Sequence, residues 1–133
     1  MKINQIILNG IQYDLGDIDY GFDKLIDGNN EFWFSVVGSN PNQDYWEIFM
    51  DNMGTEVIVD SIVNNVINNV QAKLVTTIWQ DDKNKDILVD LTGTLELLDD
   101  CIHYYGTADL DWNDQLGKNV SFDLYIERYD ITM

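Results

Sequence analysis

The sequence predicts an α+β fold: a single domain over residues 1–133 in which a mainly antiparallel sheet of about seven or eight strands, in hairpin and meander order, packs with one amphipathic helix. Three observations point there. Residues 87–127 alternate apolar and polar side chains with period two. Asn9-Gly10 sits between apolar runs as a hairpin turn. From Thr55 the apolar spacing changes to three and four, the period of a helix.

In the opening INQIILNGIQYDL, a type I′ turn at Asn9-Gly10 needs positive φ at both central residues, and residues 3–8 are expected to pair with 11–15. The following GDIDYGFD is acidic and punctuated by glycine, and reads as a loop. Leu25 and Ile26 lead into a second hairpin turn, Asp27-Gly28-Asn29-Asn30, after which EFWFSVVG is apolar on both faces like a central, buried strand. Ser39-Asn40-Pro41-Asn42 is a turn, since Asn and Ser bond back to the local backbone and Pro41 presets φ; YWEIFM is the return strand.

Val59, Ile62, Val63, Val66, Ile67 and Val70 then define the helix over residues 55–72, with Asn64, Asn65, Asn68 and Asn69 on its other face. β-branched residues and asparagine are poor helix formers, so packing would have to hold it. KLVTTIWQ resumes as a strand, and DDKNKD closes a hairpin onto the last stretch.

That stretch, residues 86–130, reads as three strands. Leu91, Gly93, Leu95 and Leu97 face inward on the first, Ile102, Tyr104, Gly106 and Ala108 on the second, and Val120, Phe122, Leu124 and Ile126 on the third. A two-residue turn at Asp99-Asp100 sets Leu97 opposite Ile102, Leu95 opposite Tyr104 and Leu91 opposite Ala108. Gly93 then faces Gly106, leaving a depression for the helix. With NDQLGKN as the next loop, Trp112 meets Val120 and Leu110 meets Phe122. This register aligns Asp90, Asp109 and Asp123 in a row, although carboxylates about 4.5 to 5.5 Å apart repel.

The 24 acidic against 7 basic residues give a net charge of -17, while 45% apolar residues suffice for a globular core. Such acidity disfavours nucleic acid and anionic membrane as direct partners and favours a basic protein or a cation. A lone Cys101 precludes an internal disulfide, and neither a signal peptide nor an apolar span is legible, so a cytoplasmic location is expected.

Candidate chemistry is thin. Cys101 and His103 share a face and could in principle form a nucleophile and base, but no third group is implied. Asp109-x-Asp111-x-Asn113 begins like a calcium loop, yet the sixth position is Asp114 and the twelfth Val120, where glycine and a bidentate glutamate belong. DLGDIDYG over residues 14–21 is no more specific. No catalytic residue, cofactor or metal is therefore assigned. The remaining constellation is the water-facing side of the last three strands, which interleaves Asp90, Glu96, Asp109, Asp111, Asp123 and Glu127 with Tyr105, Tyr125 and Tyr129. Aromatics supply contact area and acids select a cationic partner.

The leading expectation is a small non-catalytic inhibitor. It would bind a basic partner, such as a nuclease, toxin or defence effector, and cover its nucleic-acid or active-site surface. Acids at i and i+2, about 6.6 Å apart, could mimic the phosphates of a nucleic-acid strand. Immunity proteins and phage anti-defence proteins are similar in composition alone. The alternatives are a small-molecule-binding β-barrel carrier and a hydrolase using a carboxylate pair.

Overall fold

The computed structural model describes residues 4–8, 10–39, 45–49, 57–80, 83–110 and 117–130. Their period-two patterning is expressed as nine strands: β1 (Gln5–Leu8), β2 (Ile11–Lys24), β3 (Asn30–Ser39), β4 (Tyr45–Phe49), β5 (Val57–Val59), β6 (Asn65–Gln80), β7 (Lys83–Leu97), β8 (Cys101–Leu110) and β9 (Gly117–Glu127). The sheet order β2-β1-β9-β8-β7-β6-β4-β3-β5, with β2 also paired to β3, closes the sheet on itself. β4 and β5 both pair with β3, one beyond the other, and share a single position. The result is an eight-stranded, closed, antiparallel barrel, all β among the described residues, where the sequence predicted α+β. Closure joins β1 to β9 and leaves neither as an edge.

Over its described residues, 57–72, the expected helix is instead β5, a connection over 60–64 and the start of β6. Its three-and-four spacing comes from a bulge. Ile67 pairs with Leu95 and Val70 with Gly93, so Asn68 and Asn69 together oppose Thr94, and the extra residue shifts the inward parity from 67 to 70. Asn64 and Asn69 have φ of 54° and 58°, left-handed values that asparagine tolerates better than most residues. The doubled NN tetrad thus marks breaks in strand regularity. Beyond the bulge, Val70, Ala72 and Leu74 alternate inward as in any half-buried strand.

The stretch GDIDYGFD, expected as a loop, lies inside β2. A register shift between Leu15 and Asp17 resets the alternation, after which Ile18, Tyr20 and Phe22 pack against the core while Asp19 and Asp23 are exposed. The first hairpin pairs as expected, with Leu8 opposite Ile11 and Gly10 at φ 81°; Asn9 lies outside the described residues. The turn after Leu25 also forms as expected: the Leu25 amide bonds the Asn29 carbonyl at 2.8 Å, with Gly28 at φ 94°. β3 is flanked on both sides, as its apolar character required. The expected turn at 39–42 falls mainly outside the described residues; of the expected connection DDKNKD, residues 83–86 are already part of β7 and residues 81–82 lie outside the described residues.

Inside the barrel, Ile6, Phe32, Phe34, Val36, Ile48, Leu95, Leu97, Leu124 and Ile126 are wholly enclosed. Each such side chain contributes about 1.5 to 3 kcal/mol of burial. The Tyr104 hydroxyl, also buried, donates to the Val70 carbonyl oxygen at 2.7 Å; burial raises its pKa far above that of a free phenol. Gly93 and Gly106 do face each other, but the space is filled by the rings of Phe122 and Tyr104, not by a helix.

The register of the last three strands departs from expectation in two places. Leu97 opposite Ile102 and Leu95 opposite Tyr104 hold, but β7–β8 pairing stops at Gly93–Gly106 and Leu91 does not pair with Ala108. Between β8 and β9, Phe122 meets Gly106 and Val120 meets Ala108, four residues along β8 from the expected partners. A shift by an even number keeps every apolar residue inside, which is why the alternation could not detect it. Consequently Asp123 lies opposite Tyr105 on one side and Ile7 on the other, and the row of Asp90, Asp109 and Asp123 does not form.

The end of the barrel carrying the 25–29 and 98–100 turns is closed by Arg128. Its side chain is fully enclosed, 5.0 Å from the centre of the Phe22 ring, and Nη1 donates to the carbonyl oxygens of Ile62 and Leu98. No helix among the described residues is long and apolar enough to cross a membrane.

Candidate binding face

Outward-facing residues of neighbouring strands form rows across the sheet. In one row Glu96 of β7 stands opposite His103 of β8, which stands opposite Tyr125 of β9; in the next, Thr94, Tyr105 and Asp123 line up in the same way. Two rows of three therefore bring Glu96, His103, Tyr105, Asp123 and Tyr125 onto one patch of rigid sheet.

The rings assemble into a stack. His103 lies 4.2 Å from Tyr125 at an interplanar angle of 8°, and 4.4 Å from Tyr105 at 23°. The imidazole is thus sandwiched between two phenols. Its Nε2 is 3.0 Å from Asp123 Oδ1, which fixes the ring edge-on to the carboxylate. The Glu96 carboxylate, hydrogen-bonded to the Tyr105 hydroxyl, raises the Tyr105 pKa; partial burial raises that of Tyr125, with the Asp123 charge adding to it. Both phenols remain neutral donors at physiological pH. Three flat rings held in one geometry lose little rotamer freedom when a partner covers them.

The other sequence candidates fall elsewhere. Glu127 lies below the stack on β9 opposite Cys101, its backbone amide bonded to Asn4 Oδ1 at 2.9 Å. Asp90 is paired with Lys73 of β6 at 2.8 Å, and Asp109 accepts the Asn119 amide at 3.1 Å across the bulge in the β8–β9 ladder. Tyr129 packs 5.5 Å from Tyr20 at the end sealed by Arg128. Asp111 lies outside the described residues, as do Asn113 and Asp114 of the calcium-like run. Among the described residues no group of three or more His, Cys, Asp or Glu could hold a metal ion.

Cys101 and His103 do share a face, but the histidine's polar partner is Asp123, and burial, with Asp100 adding to it, pushes the Cys101 thiol up to about 11. A thiol so poised is not the thiolate a nucleophile requires.

One contributor escaped the sequence reading. His103 was legible by parity, two residues from Tyr105, but its role as the central ring needed the β8–β9 register. Trp33 of β3 does not belong to this face: it stands opposite Gly21 of β2, where an added Cβ would meet its ring at 2.7 Å. Comparison with protein-family models, curated proteins and solved structures finds no match.

Proposed function

We propose that this chain is a small binding protein that acts by occupancy, docking a basic protein on the outer face of β7, β8 and β9. The supporting observation is the Tyr105–His103–Tyr125 stack held between Glu96 and Asp123. Rigid aromatics ringed by carboxylates match the composition of interface hot spots, and the acids would select arginine or lysine from a partner. The net charge of -17 would steer such a partner from a distance. Among the described residues, Lys73 is engaged with Asp90 and Arg128 with Asp130.

A basic nuclease or nucleic-acid-binding effector in the cytoplasm fits this reading, with inhibition as the outcome. The packed interior around Phe32, Phe34, Tyr104 and Phe122 is the reason for preferring the outer face to a ligand chamber. The register takes the cross-strand aspartate row apart, so the stack rather than a row of acids is the anchor of this reading.

The test is affinity capture at low salt from the native host, comparing the wild-type chain with the Tyr105→Ala/Tyr125→Ala double variant. The expected result is a basic protein retained by the wild type, released by about 0.5 M salt and lost by the double variant. Retention that is indifferent to both salt and the double substitution would refute the assignment.

A further inference from the structure

We propose that the groove above Gly93 and Gly106 binds a neutral saccharide. β7 and β8 stop pairing at these glycines, and above them an open groove of about 530 Å³ runs along the outer wall. Its sides are Asn68, Asn69, Thr92, Thr94, Tyr105 and Thr107. In a chain of net charge -17, no charged residue lines it.

The lining selects a ligand class by its chemistry. A phosphate or carboxylate would find no cation there and a repulsive field around it; a metal or ammonium ion would find no carboxylate. An apolar ligand would leave the Asn68, Asn69 and threonine polar groups of the lining without partners. Amides and hydroxyls that both donate and accept, beside one aromatic ring, suit a molecule with many hydroxyls and a flat C–H face.

The backbone is shaped to present these groups. The β6 bulge opposes two consecutive asparagines to Thr94, bringing both to one groove where a regular strand would send them to opposite faces. Thr94 Oγ1 donates to Asn68 Oδ1 at 3.4 Å, leaving the Asn68 amine to point at a ligand. The Asn69 side-chain amide has no hydrogen-bond partner among the described residues. One face of Tyr105 rests on His103, and Tyr105 also lines the groove, so its remaining face is assigned as the stacking platform. Because the groove is open rather than enclosed, an oligosaccharide could lie along it.

The experiment is an amide NMR titration of the full chain with four probes: cellotetraose, chitotetraose, maltotetraose and mannotetraose. The expected result is saturable shifts of the Asn68 and Asn69 side-chain amides and the Thr92 and Thr107 backbone amides with at least one probe, at a Kd of about 1 mM or below. Tyr105→Phe should retain binding. Tyr105→Ala should weaken it about tenfold or more, Thr107→Val severalfold, and Asp19→Asn on β2 not at all. Should Tyr105→Ala lose its folded spectrum, Thr107→Val and Tyr105→Phe carry the comparison. Absence of shifts with all four probes, or shifts undiminished by both Tyr105→Ala and Thr107→Val, would overturn the proposal. Because Tyr105 belongs to both sites, Tyr125→Ala alone keeps the two readings apart: it should impair protein capture while leaving the saccharide shifts intact, and Thr107→Val should do the reverse.

Discussion

Arg128 and Asp130 are joined side by side at the closed end of the barrel, Nε to Oδ1 at 3.0 Å and Nη2 to Oδ2 at 2.7 Å, with the guanidinium fully enclosed and the carboxylate partly exposed. The Tyr20 hydroxyl donates to the same Asp130 Oδ1 at 2.7 Å and accepts the Tyr129 amide at 3.0 Å. Through these bonds the chain's only arginine ties the carbonyls of Ile62 and Leu98, β2 and the segment after β9 into one seal.

Arg128→Met should therefore cost about 2 to 3 kcal/mol in urea denaturation. It keeps much of the packing on Phe22 but leaves two carbonyls without their donor and the Asp130 carboxylate with the Tyr20 hydroxyl alone. Asp130→Asn should cost less than about 1 kcal/mol, because the carboxylate is partly solvated.

Acid pH offers an independent check on that pair. The hydrogen bonds from Arg128 hold the Asp130 carboxyl below its ordinary pKa. A carboxyl depressed in the folded state adds stability that is complete above the unfolded value, near 3.9, and is lost as pH falls through the folded value. The stability difference between wild type and Asp130→Asn should be constant from neutral pH down to about 5 and shrink below about 4. Taking the difference removes the general relief of repulsion on acidification. A difference that grows in acid would contradict the assignment.

Gly93→Ala should be among the most damaging small substitutions in the chain. Its Cβ would drive into the Tyr105 carbonyl oxygen and press on Phe122 and Tyr104 at 3.1 Å, all parts of the packed wall. A loss of about 3 kcal/mol is expected by chemical denaturation. Gly16→Ala, where the added Cβ meets only the Val37 carbonyl oxygen at 3.5 Å, should change stability by less than about 0.5 kcal/mol.

Cys101 should be chemically quiet in the native state. With its pKa pushed up to about 11 by burial, its reaction with a disulfide reagent at pH 8 should be slower than in the unfolded chain by on the order of 100-fold. Rapid labelling without unfolding would show that the thiol is not covered.

Asp109→Asn separates the observed register from the aspartate row. In a row, removing one charge would raise the melting temperature. In the observed register, the substitution retains an oxygen that can accept the Asn119 amide and should leave stability within about 0.5 kcal/mol; Asp109→Ala, which cannot, should cost about 1 kcal/mol. Circular dichroism should show a strand spectrum with no helical contribution from residues 65–80.

Alternation alone determined much of this protein. It identified the inward sides of β7, β8 and β9 residue by residue, the two hairpins at Gly10 and Gly28, and the presence of Glu96, Tyr105, Asp123 and Tyr125 on one wet face. These follow from local chemistry: side chains alternate along a strand, and Asn-Gly or Asp-Gly relieves a turn that needs positive φ. Tertiary structure decided what that period cannot encode. A slide of four residues between β8 and β9 leaves every face intact, so only the closed barrel set Asp123 beside Tyr105 and put His103 between two tyrosines. The bulge at Asn68-Asn69 imitated a helical spacing, and pairing with β7 on both sides of the bulge is what held that sequence extended. Barrel closure itself depends on β1 meeting β9, a contact between the two ends of the chain for which alternation carries no local signal.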